Sequence, residues 1–220
     1  MATAALMDTI ISVIGSQYLQ PIADLLGAFL KRKPPKSDTV SSGYYEGAYV
    51  VSILLLLVAV VESMAARDRH FNAKAPARKH TAVPEYMKEL YRYRAYARLS
   101  ELYVVRDAIF HNHVWVLQFL TRTSGSRKLL SANRVWWSGN DRLTQRLNPR
   151  TFRTKLLRLN AIPSRMDRKD LLKAFDVAIS SLRFLEQRGA NPVQILRTTI
   201  GFQGARIPFS QLRQELANAL

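Results

Sequence analysis

The sequence predicts an all-α fold, a bundle built on long helices with room for one short β-hairpin. Three stretches predict it. Residues 48–61 (AYVVSILLLLVAVV) form an apolar run broken only by Ser52. Residues 85–121 contain no glycine or proline and place Leu90, Tyr93, Ala97, Leu102, Val105, Ile109, Val116 and Leu117 on one helical face. The run LLKAFDVAISSLRFLEQR repeats the helical pattern up to Gly189, a natural stop. With 220 residues, 48% of them hydrophobic, the chain can bury one sizeable core, and a single domain with extensions is the expectation.

The N-terminal residues place Leu6, Ile10, Val13 and Ile14, then Ile22, Leu25, Leu26 and Phe29, at helical spacing. Pro21 reads as a break between two amphipathic helices or a kink in one. Lys31, Arg32 and Lys33 suit the negative end of a helix dipole, and Pro34 and Pro35 stop it. The implied organisation is a helical arm over residues 1–32, a Pro- and Ser-rich linker over 33–43 and a helical domain over 44–220. The arm is expected to dock on the core, with a partner protein or a membrane surface as alternatives.

The first long helix is expected over residues 44–71. Its fourteen-residue apolar stretch spans about 21 Å, short of the roughly 30 Å hydrocarbon core of a bilayer. Extending it to Tyr44 and Tyr45 takes in Glu46, which is costly in lipid. It is therefore read as a buried core helix, and a membrane is not an expected partner. The N-terminus lacks a secretory pattern, Asp8 interrupts its first apolar run, and there is no cysteine for a disulfide framework, a thiol nucleophile or a thiolate metal site. A cytoplasmic setting is the expectation.

A connection over 72–83 carries Lys74, Arg78, Lys79 and His80, and the second long helix follows over 85–121. A turn is expected at 124–126 and a short strand over 128–137, within a basic insertion around 125–165. Ser164 followed by Asp167 resembles a capped helix start. After Gly189 a short element near 193–200 and a final helix over about 208–219 complete the chain.

Lys and Arg number 33 against 16 Asp and Glu, a formal charge of +17 that concentrates polyanions. Nucleic acid is the leading partner class, against a merely solvated surface or an acidic protein. Over residues 142–169 nine basic side chains face a single acidic one, Asp167. Arg142, Arg146, Arg150, Arg153, Lys155 and Arg158 are the candidate phosphate contacts. Tyr86, Tyr91, Tyr93, Tyr96 and Tyr103, interleaved with Arg92, Arg94 and Arg98, offer stacking surfaces to a single strand or simply form a half-buried helix.

The candidate chemistry lies in ELYVVRDAIFHNHVW, residues 101–115. Arg106 is followed by Asp107, by His111 after four intervening residues and by His113 after six. Histidine titrates near neutrality, and a guanidinium stays charged and can hold two phosphate oxygens. On a helix Asp107 and His111 are neighbours, whereas Arg106 lies about 140° from His111 and about 20° from His113. A packed alternative exists, in which the histidines sit in a helix interface and Arg106 satisfies a structural carboxylate.

This stretch, together with a preceding long helix that ends in a glutamate, resembles the HEPN superfamily over residues 44–185. The resemblance implies a HEPN-like helical bundle with long antiparallel helices and a homodimer in which two motifs form one composite site. It implies metal-independent cleavage of single-stranded RNA through the ribose 2′-hydroxyl, without a cofactor, by a toxin or an effector of antiviral defence. An antitoxin or regulatory protein partner goes with that setting. In these terms His111 is the general base, with His113 the alternative, Arg106 stabilises phosphate charge and Asp107 orients His111. The rival is a non-catalytic HEPN-like RNA-binding or partner-docking module. His70 and His80 lack a carboxylate pattern for a metal site, and there is no phosphate-binding glycine loop, nucleophile elbow or zinc-protease motif.

Overall fold

A computed structural model of the chain describes residues 14–32, 46–73, 81–110, 115–121, 127–134, 145–148, 150–190 and 192–220. The fold is mostly helical with two small hairpins. A 3-10 turn over Ile14–Tyr18 leads into α1 (Leu19–Leu30), followed by α2 (Glu46–Phe71), α3 (Val83–Tyr91), α4 (Tyr96–Phe110), β1 (Trp115–Thr121) and β2 (Arg127–Arg134). Then come α5 (Arg168–Arg188), β3 (Thr199–Phe202), β4 (Ala205–Pro208) and α6 (Leu212–Asn218).

The centre of the core is α2, because its first half is apolar on nearly every side. Val50, Ile53, Leu54, Leu57, Val58, Val60 and Val61 are each no more than 1% exposed. They pack with Ile22, Leu26 and Phe29 of α1 and with Leu171, Phe175, Ala178 and Leu182 of α5 in one cluster. Among the described residues α2 is the one helix long and apolar enough to cross a membrane, and half of its most apolar window is buried within this fold. The described part of the N-terminal arm is docked, since Leu19, Ile22, Leu26 and Phe29 belong to that core.

Pro21 does not divide two helices. It sits in the first turn of α1, where a missing N–H costs no intrahelical bond. The linker over 33–43 and the first thirteen residues lie outside the described residues.

The second long helix is shorter than its periodicity suggests, and it is broken twice. Arg92 adopts φ 54°, ψ 40° and caps α3 in the left-handed region, a conformation that costs a non-glycine residue about 1–2 kcal/mol. The turn redirects Tyr93 into the core, where its ring lies 4.6 Å from Phe184 and its hydroxyl 3.2 Å from Ser181 Oγ. Burial of one tyrosine thus overrides a run of good helix formers. Further on, residues 115–121 (WVLQFLT) form a strand and not the end of a helix, pairing antiparallel with β2 from Trp115↔Arg134 to Thr121↔Arg127. Aromatic and β-branched residues suit a pleated surface, and a hairpin partner was within reach. The expected strand is present as Arg127–Arg134, while residues 135–137 and the turn at 124–126 lie outside the described residues.

Asp167, not Ser164, caps α5, in a reciprocal box with Asp170: each carboxylate accepts the other's backbone N–H, at 2.9 and 3.3 Å. At the same end Arg168 is buried and gathers three parts of the chain. Its backbone N–H donates to Glu46 Oε1 at 3.0 Å, its guanidinium reaches the carbonyls of Arg32 and Ala219, and it lies over the Phe29 ring at 4.8 Å. After α5 the expected short element is a hairpin. Gln203 and Gly204, both with positive φ, form its two-residue turn, and the Gln20 side-chain amide bonds both the N–H and the C=O of Gly201.

Candidate functional site around Arg106

Helix α4 is buried on two sides. Val104 and Ala108 face Leu147 and Ala161 in a small second cluster. On the same side the Glu101 carboxylate, 1% exposed, accepts the backbone N–H groups of Leu156 at 2.8 Å and Leu157 at 2.7 Å. Two consecutive amides thus satisfy a charge that would be very costly to bury alone. Glu101 thereby holds the loop that displays the basic side chains of residues 150–158.

Arg106 lies about 160° around the helix from both Val104 and Ala108, so it faces away from that loop. Its Nη1 is 3.2 Å from Glu62 Oε1 of α2 and its Nε is 2.8 Å from Asp107 Oδ1. The Nε–H is not aimed at that oxygen, so this contact is an ion pair without an aligned hydrogen bond. The guanidinium lies over the Tyr103 ring at 4.9 Å from its centroid. The arginine is 24% exposed, against 40% for Glu62 and 39% for Asp107, so a cation held by two carboxylates still reaches solvent.

Beneath it Tyr103 is 5% exposed, and its hydroxyl has no hydrogen-bond partner among the described residues. Burial first, and then the Glu62 charge, push this phenol well above the usual tyrosine range, so it remains a donor. Phe110, half exposed, closes α4.

His111 and His113 lie outside the described residues, as does Arg142. Asp107 is seen engaging Arg106, and its relation to His111 falls outside the described residues too. Of the basic candidates, Arg146 reaches the carbonyl of Ala97 and Arg153 that of Arg158, each at a long 3.4 Å. Arg150, Lys155 and Arg158 are exposed, Arg158 with φ 59°. The structure therefore brings Arg106, Asp107 and Glu62 together and sets the basic loop across α4 from them. Among the described residues no three His, Asp or Glu side chains are grouped as a metal site.

Sequence reasoning used Glu62 only as the glutamate that ends the preceding helix, offered Tyr103 only as a stacking surface, and did not single out Glu101. Their spacing held a signal: Tyr103 precedes Arg106 by one turn and Glu101 falls on the opposite face. The cross-helix partners, Glu62 and the amides of Leu156 and Leu157, are 44 or more residues distant in sequence, and no local pattern reveals them. No family model matches this chain, and no curated protein or solved structure does either.

Proposed function

We propose that the chain is a HEPN-like, metal-independent endoribonuclease acting on single-stranded RNA. The observation that carries this reading is the clamp on Arg106: a partly exposed guanidinium fixed between Glu62 of α2 and Asp107 of α4, five residues ahead of His111 in sequence. A preset cation stabilises the phosphorane without reorganising during the reaction. His111, or His113 in its place, takes the proton of the ribose 2′-hydroxyl, whose oxygen attacks phosphorus as the bond to the 5′-oxygen breaks, and the departing 5′-oxygen takes up a proton from water. The products are a 2′,3′-cyclic phosphate and a 5′-hydroxyl, and DNA, lacking the 2′-hydroxyl, is not cut. Arg150, Lys155 and Arg158 hold the backbone by charge. A homodimer would supply the second half of a composite site, and an antitoxin or regulatory protein would restrain a toxic activity.

Growth and RNA integrity after expression test this in cells. Wild type arrests growth and degrades RNA, whereas His111→Ala does neither; equal behaviour of the two removes the proposal.

The same clamp favours a second reading, because an arginine satisfied by two carboxylates also serves a purely structural role. In that case the protein is a non-catalytic RNA-binding or partner-docking module. A salt titration of RNA binding and an end-group assay on one sample separate the two: the module binds and leaves no cyclic phosphate.

A further inference from the structure

The basic loop over residues 150–158 is held at more points than a solvated connection needs. Glu101 of α4, 1% exposed, accepts the N–H groups of Leu156 and Leu157, and Asp170 of α5, also 1% exposed, accepts from the Asn160 side-chain amide at 2.7 Å. Thr154, fully buried, takes the Leu159 N–H on its hydroxyl at 3.0 Å. Backbone bonds from Lys155 N to the Arg146 carbonyl and from Thr154 N to that of Leu159 hold it further. Phe152 and Arg158, with φ 53° and 59°, are two of the four non-glycine residues of positive φ among the described residues. Strain of this kind persists where surrounding contacts over-determine the backbone, and it gathers at ligand-binding segments. The outward side chains are Arg150, Lys155, Leu156 and Arg158. Leu156 is 59% exposed, and none of the three cations has an ionic partner among the described residues.

We propose that this loop is a preformed binding surface for single-stranded nucleic acid, set apart from the Arg106 site and unable to distinguish ribose from deoxyribose. Lys155, Arg158 and Arg150 meet phosphates, and Leu156 packs on the face of an unstacked base. The indifference to sugar follows from the side-chain set. The cations offer N–H donors, which pair with a charged phosphate in preference to a neutral hydroxyl, and leucine offers only carbon. Single strands are the class because a duplex keeps its base faces stacked away from a side chain such as Leu156. One exposed leucine is also too small an apolar area to anchor the chain on a bilayer. The loop and Arg106 lie on opposite sides of α4, so the loop captures a strand and takes no part in the chemical step. That the captured strand is a substrate rests on the ribonuclease reading, while the surface itself does not.

Fluorescence anisotropy with a labelled single-stranded DNA and an RNA of the same sequence tests the proposal over a range of salt concentrations. The full chain carries His111→Ala, so that RNA stays whole. The two strands are expected to bind within about threefold of each other, with parallel salt dependences. Adding Leu156→Ser is expected to weaken both by about fivefold and to leave the slope of log affinity against log salt unchanged, since it removes apolar contact and no charge. Lys155→Gln with Arg158→Gln is expected to lower that slope by about 1.4 for both strands. Because Leu156 stands outside the core, its variant should keep the helical content and Tm of its parent, so that lost binding is not lost folding. Undiminished DNA affinity in Leu156→Ser, an unchanged slope in the double variant, or DNA bound more than about tenfold more weakly than RNA would overturn the proposal. So would a chain that ignores DNA and binds phosphatidylglycerol vesicles through Leu156, since the loop would then be a lipid contact. None of these measurements requires cleavage, so DNA binding at the loop by a wild type that never cuts RNA would remove the nuclease reading and leave the surface standing.

Discussion

Glu62 of α2 and Arg106 of α4 meet at 3.2 Å across the contact between the two helices, on the side of α4 that the basic loop leaves open. Both are partly exposed, so the pair's net stabilising effect is small. Its consequence is geometric, since it sets where the guanidinium stands. Glu62→Gln should therefore change unfolding free energy by no more than about 0.5 kcal/mol. It should lower RNA cleavage by roughly 10- to 100-fold through a misplaced cation. Denaturant unfolding and initial-rate assays on the same preparation check both. A large stability loss with unchanged cleavage would reverse the assigned role.

Legibility in the sequence follows the range of the interaction. The apolar run of α2 and the periodicity of α5 could be read because burial imposes a local pattern, and Arg106 with Asp107 because they are neighbours. The break at Arg92 could not, since the left-handed turn is imposed by Tyr93 packing against Phe184, 91 positions further along. The strand Trp115–Thr121 was hidden by the absence of Gly or Pro after α4, which made a helical pattern look continuous. The second hairpin was signalled by Gln203-Gly204 between short apolar runs, a weak cue without asparagine or aspartate. Glu62, Glu101 and Tyr103 gain their roles only from tertiary contacts.

Glu101→Gln tests the buried attachment of the basic loop. The amide retains one acceptor oxygen and turns an NH2 group toward a backbone N–H, leaving a buried donor unmatched. A loss of about 2–3 kcal/mol is expected by urea denaturation. A change within experimental error would mean that the loop is held by other contacts.

Alkaline titration probes the buried phenols. Burial, then hydrogen bonding to Asp68, raises the Tyr86 pKa, and the same two causes raise that of Tyr91; burial raises that of Tyr103. Raised folded-state values mean that the stability these groups contribute is fully present below the unfolded pKa of about 10 and is lost as pH climbs above it. Tyrosinate absorbance should show these three of the nine tyrosines ionising only with unfolding. Nine phenols titrating together near pH 10, with the helical signal intact, would contradict this burial.

Neutralising Arg150, Lys155 and Arg158 together to Gln should weaken binding to single-stranded RNA of any sequence. The slope of log affinity against log salt should fall by about 2, the sum expected for three phosphate contacts on a single strand. An unchanged slope would move the phosphate track elsewhere on the surface.

Metal-independent RNA cleavage is tested most directly on a single-stranded RNA in EDTA with purified wild type, His111→Ala and Arg106→Ala in parallel and product ends analysed. Wild type is expected to leave 2′,3′-cyclic phosphate ends and either variant to lose at least about 100-fold, each with its helical content retained. Undiminished cleavage by His111→Ala, or a wild type that binds RNA and never cuts it, would contradict it.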